Sequence, residues 1–230
     1  NLHSFTLLVN NTNSDGATPF CALTLSGNTL YGTTVYGGTA SNGVLFRINT
    51  DGSGFTNLHN FTPRVNGTNN DGAGPYGSLF LSGATLYGTT LAGGAFSNGT
   101  VFAVNTDGSD FRVWYHFSPF INGTNGDGGG PVSGILSSNT LYGLAHVGGS
   151  GGSGTVFSLF IPPALSIGFS GTNAMLIWPT NADGFTLQSS TNLADPAAWS
   201  AVSPDPVNLN GQNAVTNPMS GGQVFYRLSR

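Results

Sequence analysis

Three segments of the chain, 10–16 (Asn-Asn-Thr-Asn-Ser-Asp-Gly), 66–72 (Asn-Gly-Thr-Asn-Asn-Asp-Gly) and 122–128 (Asn-Gly-Thr-Asn-Gly-Asp-Gly), carry side-chain oxygens at alternate positions and a glycine directly after the aspartate. Calcium loops share that spacing, which makes Asp15, Asp71 and Asp127 candidate metal ligands. Such loops usually hold several carboxylates and each of these holds one, so Asx turns, in which the side chain bonds its own backbone, are the stronger explanation. Tyr31, Tyr87 and Tyr142 stand near Asn and Asp residues. Aromatic faces beside neutral hydrogen-bonding groups suit sugars, while packing between sheets is the competing role. Asn10, Asn60, Asn66, Asn98 and Asn122 begin Asn-x-Thr sequons and are candidate glycan attachment sites.

Catalytic chemistry is not expected. His3, His59 and His116 read as one repeated position, and an active site needs a single asymmetric constellation. No Gly-x-Ser-x-Gly elbow, His-Glu-x-x-His, Cys-x-x-Cys or Gly-Lys phosphate loop occurs. Cys21, the one cysteine, forms no internal disulfide and reads as a small buried hydrophobe. No cofactor is expected beyond the calcium option.

The elements that must position these residues follow from composition. Of 230 residues only 5 are basic and 9 acidic, all of them Arg and Asp, giving a net charge of −4. Five scattered arginines supply no stripe for phosphates, which disfavours nucleic-acid partners and polybasic membrane attachment. Good surface helix formers are scarce, and 36 glycines point to turns and strands. No apolar run approaches the roughly 18 residues of a membrane helix, and nothing resembles a signal peptide. A surface solvated by amides and hydroxyls favours a processed, exported chain.

Set against itself at an offset of 56, the sequence aligns 1–56 with 57–112 without a gap, and 35 of the 56 positions are identical. A third copy occupies 113–164 with small deletions. Short apolar runs between Gly, Asn and Asp clusters predict four strands per copy, at 58–62, 76–81, 85–91 and 100–105 in the second. The expectation is an all-β chain of three propeller-like, four-stranded antiparallel repeats. Hairpin pairing of 44–49 with 55–61, and of 101–105 with 111–117, makes each sheet straddle a copy boundary. Leu2–Thr6 and Thr155–Phe160 are then left as two orphan edges that should complete each other. Completion within the chain closes a ring; completion between chains gives a symmetric oligomer or a head-to-tail filament.

The recurring Leu-Tyr-Gly-Thr-Thr (30–34, 86–90), Gly-Gly (37–38, 93–94), Gly-Thr-Val-Phe (99–102, 154–157), Asp-Gly-Ser (51–53, 107–109) and Leu-His-x-Phe (2–5, 58–61) resemble the tandem GloVer repeats of secreted bacterial proteins of the choice-of-anchor type. The resemblance covers residues 1–164. It implies a propeller-like β architecture, an extracellular or cell-surface location in a bacterium and no known enzymatic activity. The family's sorting tail, an apolar span with a basic cluster, is not visible.

Ile161-Pro162-Pro163 ends the repeats, since consecutive prolines do not sit in a central strand. The domain reading is 1–160 for the repeats, 161–164 as a proline linker and 165–230 as a β-sandwich of about seven short strands, with Trp178 and Trp199 as core anchors. The functional expectation is an exported structural protein that self-associates through unpaired strands into an extracellular assembly or filament. The alternative is a lectin-like surface module.

Overall fold

The computed structural model describes every residue except 181, 183, 210, 211, 220 and 221. Among the described residues there is no α-helix. The chain divides into two compact units, one of Asn1–Leu136 and Leu141–Leu159, the other of Ser137–Thr140 and Phe160–Arg230.

In the first unit, β1 (Thr24–Ser26), β2 (Thr29–Thr34), β3 (Val44–Asn49) and β4 (Thr56–Asn60) form one antiparallel sheet in that order. The second sheet repeats it with β5 (Phe80–Ser82), β6 (Thr85–Thr90), β7 (Thr100–Asn105) and β8 (Arg112–His116). Both sheets straddle the copy boundary, as the hairpin pairing requires.

The third sheet is left one strand short, as the orphan edge at 155–160 implies. It holds β9 (Gly129–Ser137), β10 (Thr140–Val147) and β11 (Thr155–Phe160), with β11 on its edge. The strand expected at 76–81 is shortened to β5, because the backbone before it serves the neighbouring sheet: the Thr24 hydroxyl donates to the Leu79 carbonyl at 2.7 Å and Gly74 N–H donates to the Asn42 carbonyl at 2.8 Å. Leu2–Thr6 is not a strand and does not meet β11, so the two orphan edges do not close a ring within the chain.

The Tyr-Gly and Val-Phe motifs encode one packing device. Gly32 pairs across the sheet with Phe46 and Gly88 with Phe102, and the phenyl ring lies where a glycine side chain would have been. A Cβ on Gly32, Gly88 or Gly143 would stand 2.6, 2.4 or 2.2 Å from the Cζ of Phe46, Phe102 or Phe157. Each covered ring then receives the edge of a phenylalanine from the start of its own copy: Phe5 on Phe46 (5.5 Å), Phe61 on Phe102 (5.4 Å) and Phe117 on Phe157 (5.1 Å). Edge-on aromatic pairs add roughly 0.5–1.5 kcal/mol beyond their buried area. Tyr31, Leu45 and Phe61 thus share one core with Leu79, Leu86, Phe102 and Val104 of the next sheet.

Among the described residues the second unit contains seven strands in two sheets. One orders β12 (Ser166–Ser170), β13 (Asn173–Pro179), β17 (Gln212–Pro218) and β16 (Val207–Leu209); the other orders β15 (Ser200–Ala201), β14 (Thr186–Ser190) and β18 (Phe225–Ser229). Alternation along β13 buries Ala174, Leu176 and Trp178, and Trp178 packs with Leu187 and Val215. Trp199 is half-buried and lies under the Arg227 guanidinium, 4.2 Å from its carbon.

Candidate functional site

The three Asn/Asp loops are built alike. Their tips are two-residue turns closed by Val9–Thr12, Val65–Thr68 and Ile121–Thr124 pairs. Behind each tip an asparagine makes four hydrogen bonds. Asn69 donates to the carbonyls of Thr62 (2.9 Å) and Gly72 (2.7 Å) and accepts from the N–H groups of Gly72 (3.0 Å) and Gly94 (2.8 Å). Asn13 and Asn125 repeat the pattern. These clamping asparagines were not singled out from the sequence, although their strict spacing of 56 was the available signal.

The aspartates face inward to donors. Asp71 is 6 % exposed and accepts from Thr62 N–H (2.9 Å), the Thr62 hydroxyl (2.5 Å) and His59 Nε2 (2.9 Å). A carboxylate only accepts, so the imidazole proton sits on Nε2. Asp15, also 6 % exposed, has the same partners in Thr6 and His3. Burial by itself raises both carboxyls; the combined hydrogen bonds from Thr and His outweigh it and hold them below the ordinary value. Asp127 is held low in the same way, burial being opposed by Tyr115 and Ser118.

The third copy corrects the histidine reading. Tyr115, not His116, takes the place of His3 and His59 and donates its hydroxyl to Asp127 at 2.7 Å. His116 takes the place of Asn60: its Nδ1 accepts from Ala95 N–H (3.2 Å) where Asn60 Oδ1 accepts from Thr39 N–H (3.3 Å). Counting 56 from His59 lands on Tyr115, so the register was present in the sequence.

The Asx reading fits the asparagines, whose Oδ1 accepts from a glycine N–H three residues on, and not the aspartates, whose partners lie nine and twelve residues back. The carboxylates of Asp15 and Asp71 point at N–H and O–H groups, Asp127 does so through Oδ2 while its buried Oδ1 has no hydrogen-bond partner, and among the described residues no three His, Cys, Asp or Glu side chains gather as a metal set. Millimolar calcium is therefore expected to leave the melting temperature unchanged; a rise of several degrees would restore the metal reading.

The tyrosines divide. Tyr31 and Tyr87 are 5 % and 6 % exposed, Tyr31 lying in the core it shares with Leu79 and Leu86, and this removes them as sugar platforms. Tyr142 is 45 % exposed beside an open depression of about 240 Å³ lined with Ile135, Leu144 and Val156. Among the sequons, Asn10, Asn66 and Asn122 are exposed at the loop tips. Asn60 and Asn98 are half-buried and bonded, Asn98 donating to the Ser118 carbonyl at 2.5 Å. Cys21 is half-buried, 3.0 Å from the Thr33 hydroxyl, and burial pushes its thiol up.

The feature that most departs from its own repeats is the open side of the third sheet. Among the described residues β3 and β7 each pair on both edges, whereas β11 pairs with β10 alone. Val156 is 79 % exposed where its equivalents Leu45 and Val101 are fully buried. Leu2–Thr6 holds the pose of residues 58–62. His3 stacks on Phe55 at 3.8 Å and 8° as His59 stacks on Phe111 at 3.7 Å and 7°.

Among the described residues no helix is long and apolar enough to cross a membrane. No curated protein matches the sequence. Solved structures similar to the chain include one from a nidogen/laminin complex, at 16 % identity and a TM-score of 0.33 over 66 % of this chain and 52 % of that one. The chain thus spans about half the length of that structure. Another is an endo-arabinase from Bacteroides thetaiotaomicron, at 11 % identity and a TM-score of 0.33 over 94 % of this chain and 98 % of that one. The model of the Gloeobacter/Verrucomicrobia repeat matches residues 1–192, so the chain, with its 56-residue spacing and its glycine-under-phenylalanine pairs, belongs to the Gloeobacter/Verrucomicrobia repeat family.

Proposed function

We propose that this chain is a non-catalytic structural module, exported to the outside of a bacterial cell, that self-associates through its open strand edge. The observation that carries the reading is β11: among the described residues its counterparts β3 and β7 have partners on both sides and it has one. A free edge presents a row of N–H and C=O groups that templates another strand. A surface of amides and hydroxyls with few charges keeps repulsion between copies small. The exposed turn-tip asparagines Asn10, Asn66 and Asn122 are where glycans would be carried, and intact mass reads their occupancy.

The lectin reading is weaker. Tyr142 keeps an exposed ring, but its apolar neighbours Ile135, Leu144 and Val156 offer few groups to sugar hydroxyls. Sedimentation of the full chain over a concentration series tests the proposal. The weight-average mass is expected to rise in steps of one chain, and amides of Thr155–Phe160 are expected to gain hydrogen-exchange protection as it does. A chain that remains monomeric throughout overturns the reading.

A further inference from the structure

The junction between the first and second copies holds a depression of about 210 Å³. Val35, Tyr36 and Ser41 of the first copy line one side of it, and Arg64, Gly74 and Leu91 of the second line the other. Two exchanges between copies open this space. At the next junction Phe120 stands at the position of Arg64, and His146 at that of Leu91. A Cβ on Gly129 or Gly148 would lie 2.7 Å from the Phe120 ring, and one on Gly130 would lie 2.2 Å from His146 Cε1, so two rings fill that junction. His146 Nδ1 also meets the Gly130 carbonyl at 2.7 Å. At the first junction the place of Phe120 goes to an exposed arginine. Gly74 is the counterpart of Gly130, and the atoms nearest to a Cβ built there are Val35 Cγ1 and the Val35 carbonyl oxygen, both at 3.8 Å.

The lining sorts into an apolar floor, with Val35 and Leu91, and a polar rim, with Arg64, Tyr36 and Ser41. Among the described residues Arg64 makes no ion pair. Its guanidinium carries parallel N–H donors that match a carboxylate in a bidentate contact. The Ser41 hydroxyl donates to the Asn11 carbonyl at 2.6 Å, which leaves its oxygen to accept. A sugar ring turns C–H groups toward an apolar or aromatic surface and hydroxyls toward its rim. The space is smaller than the roughly 300–1,000 Å³ of sites for drug-sized ligands, and it suits a single ring.

We propose that the first junction binds a uronate, a sugar ring that bears a carboxylate, as one residue of an acidic polysaccharide. Arg64 takes the carboxylate, Tyr36 and the apolar floor take the C–H face, and Ser41 accepts from a ring hydroxyl. The depression beside Tyr142 has no cation in its lining and offers no such contact. Both walls of the first junction belong to one chain, so this site stands or falls independently of self-association.

Amide NMR of the full chain, titrated separately with glucuronate, glucose, acetate and inorganic phosphate, tests the proposal. Glucuronate is expected to shift the Gly74 and Leu91 amides saturably, with the millimolar dissociation constant of a small ligand. Glucose and acetate each carry half of the recognised chemistry and phosphate lacks the ring, so each should bind roughly tenfold or more weakly, the scale of one hydrogen bond to a charged group. Arg64→Leu installs the residue of the first copy, Leu8, and Arg64→Phe that of the third, Phe120. Arg64 is exposed, so both variants should melt with the parent, and both should lose glucuronate affinity by roughly tenfold or more. Absence of a saturable shift at Gly74 and Leu91 overturns the site, as does an Arg64→Leu chain that binds glucuronate like the parent. Acetate or phosphate binding as tightly as glucuronate would leave an anion site only, and glucose doing so would remove the role of Arg64; either result overturns the uronate assignment.

Discussion

Replacing Gly88 with alanine is expected to cost the repeat unit about 3 kcal/mol, a large fraction of what a domain of this size has to lose. Alanine would ordinarily gain roughly 0.5–1 kcal/mol in a strand by restricting the unfolded chain. Here its methyl group would stand 2.4 Å from Phe102 Cζ and 2.9 Å from a Leu79 methyl. Phe102 is fully buried between the Phe61 edge and Phe111, so the ring cannot retreat. The clash therefore outweighs the entropic gain, and the melting temperature should fall by roughly 10 °C. Gly126→Ala is the control, since no atom lies within 4 Å of its Cβ position, and it should change stability by less than about 0.5 kcal/mol. A Gly88→Ala/Phe102→Leu pair should lose less than the sum of the single losses, because the smaller side chain makes room for the methyl. A Gly88→Ala chain as stable as the parent would remove the packing account of the Leu-Tyr-Gly motif.

The second large effect is at Asp71. Asp71→Asn turns an amide NH₂ toward donors that need an acceptor, and Asp71→Ala strands the Thr62 and His59 donors altogether. Each change is expected to cost about 3 kcal/mol at neutral pH, since hydrogen bonds to a charged group contribute roughly 1.5–3 kcal/mol and orphaned donors add their desolvation. The same group sets a pH dependence. Its folded-state pKa lies below the ordinary 3.8, burial being outweighed by the His59 and Thr62 bonds. Between the two values the unfolded chain binds more protons than the folded one, so stability is present above pH 3.8 and is lost as pH falls through the lower, folded value. Asp15 and Asp127 act in the same direction. Acid melts should therefore show a decline beginning near pH 4 in the parent and a shallower one in Asp71→Asn. An equal slope in both would show that Asp71 is not one of the groups responsible.

These predictions concern residues whose repetition was visible in one dimension but whose work was not. Gly88 marks a close approach of a cross-strand ring, which its place after Tyr87 does not reveal. Asp71 read as a loop residue with two competing roles. Periodicity cannot choose between a carboxylate aimed at a cation and one aimed at a threonine N–H, because both put an oxygen at the same spacing. His116 shows how a landmark misleads: Tyr-His-Phe looks like the His-x-Phe motif, while the ladder pairs Val101 with Tyr115 and so gives the position to the phenol.

Taken alone, the sequence determined that the chain is built of β-repeats of 56 residues whose sheets cross the copy boundary, and that a module of seven short strands follows them. Turn chemistry and alternation are local and repeat with the chain, so they can be read from it. Which side chains are covered was decided only in three dimensions. Tyr31, Tyr87 and Tyr142 occupy one repeat position and share nearly the same neighbours in sequence, yet two are buried and one is not. Burial depends on whether another sheet lies in front of the residue, and that is a property of its place in the array.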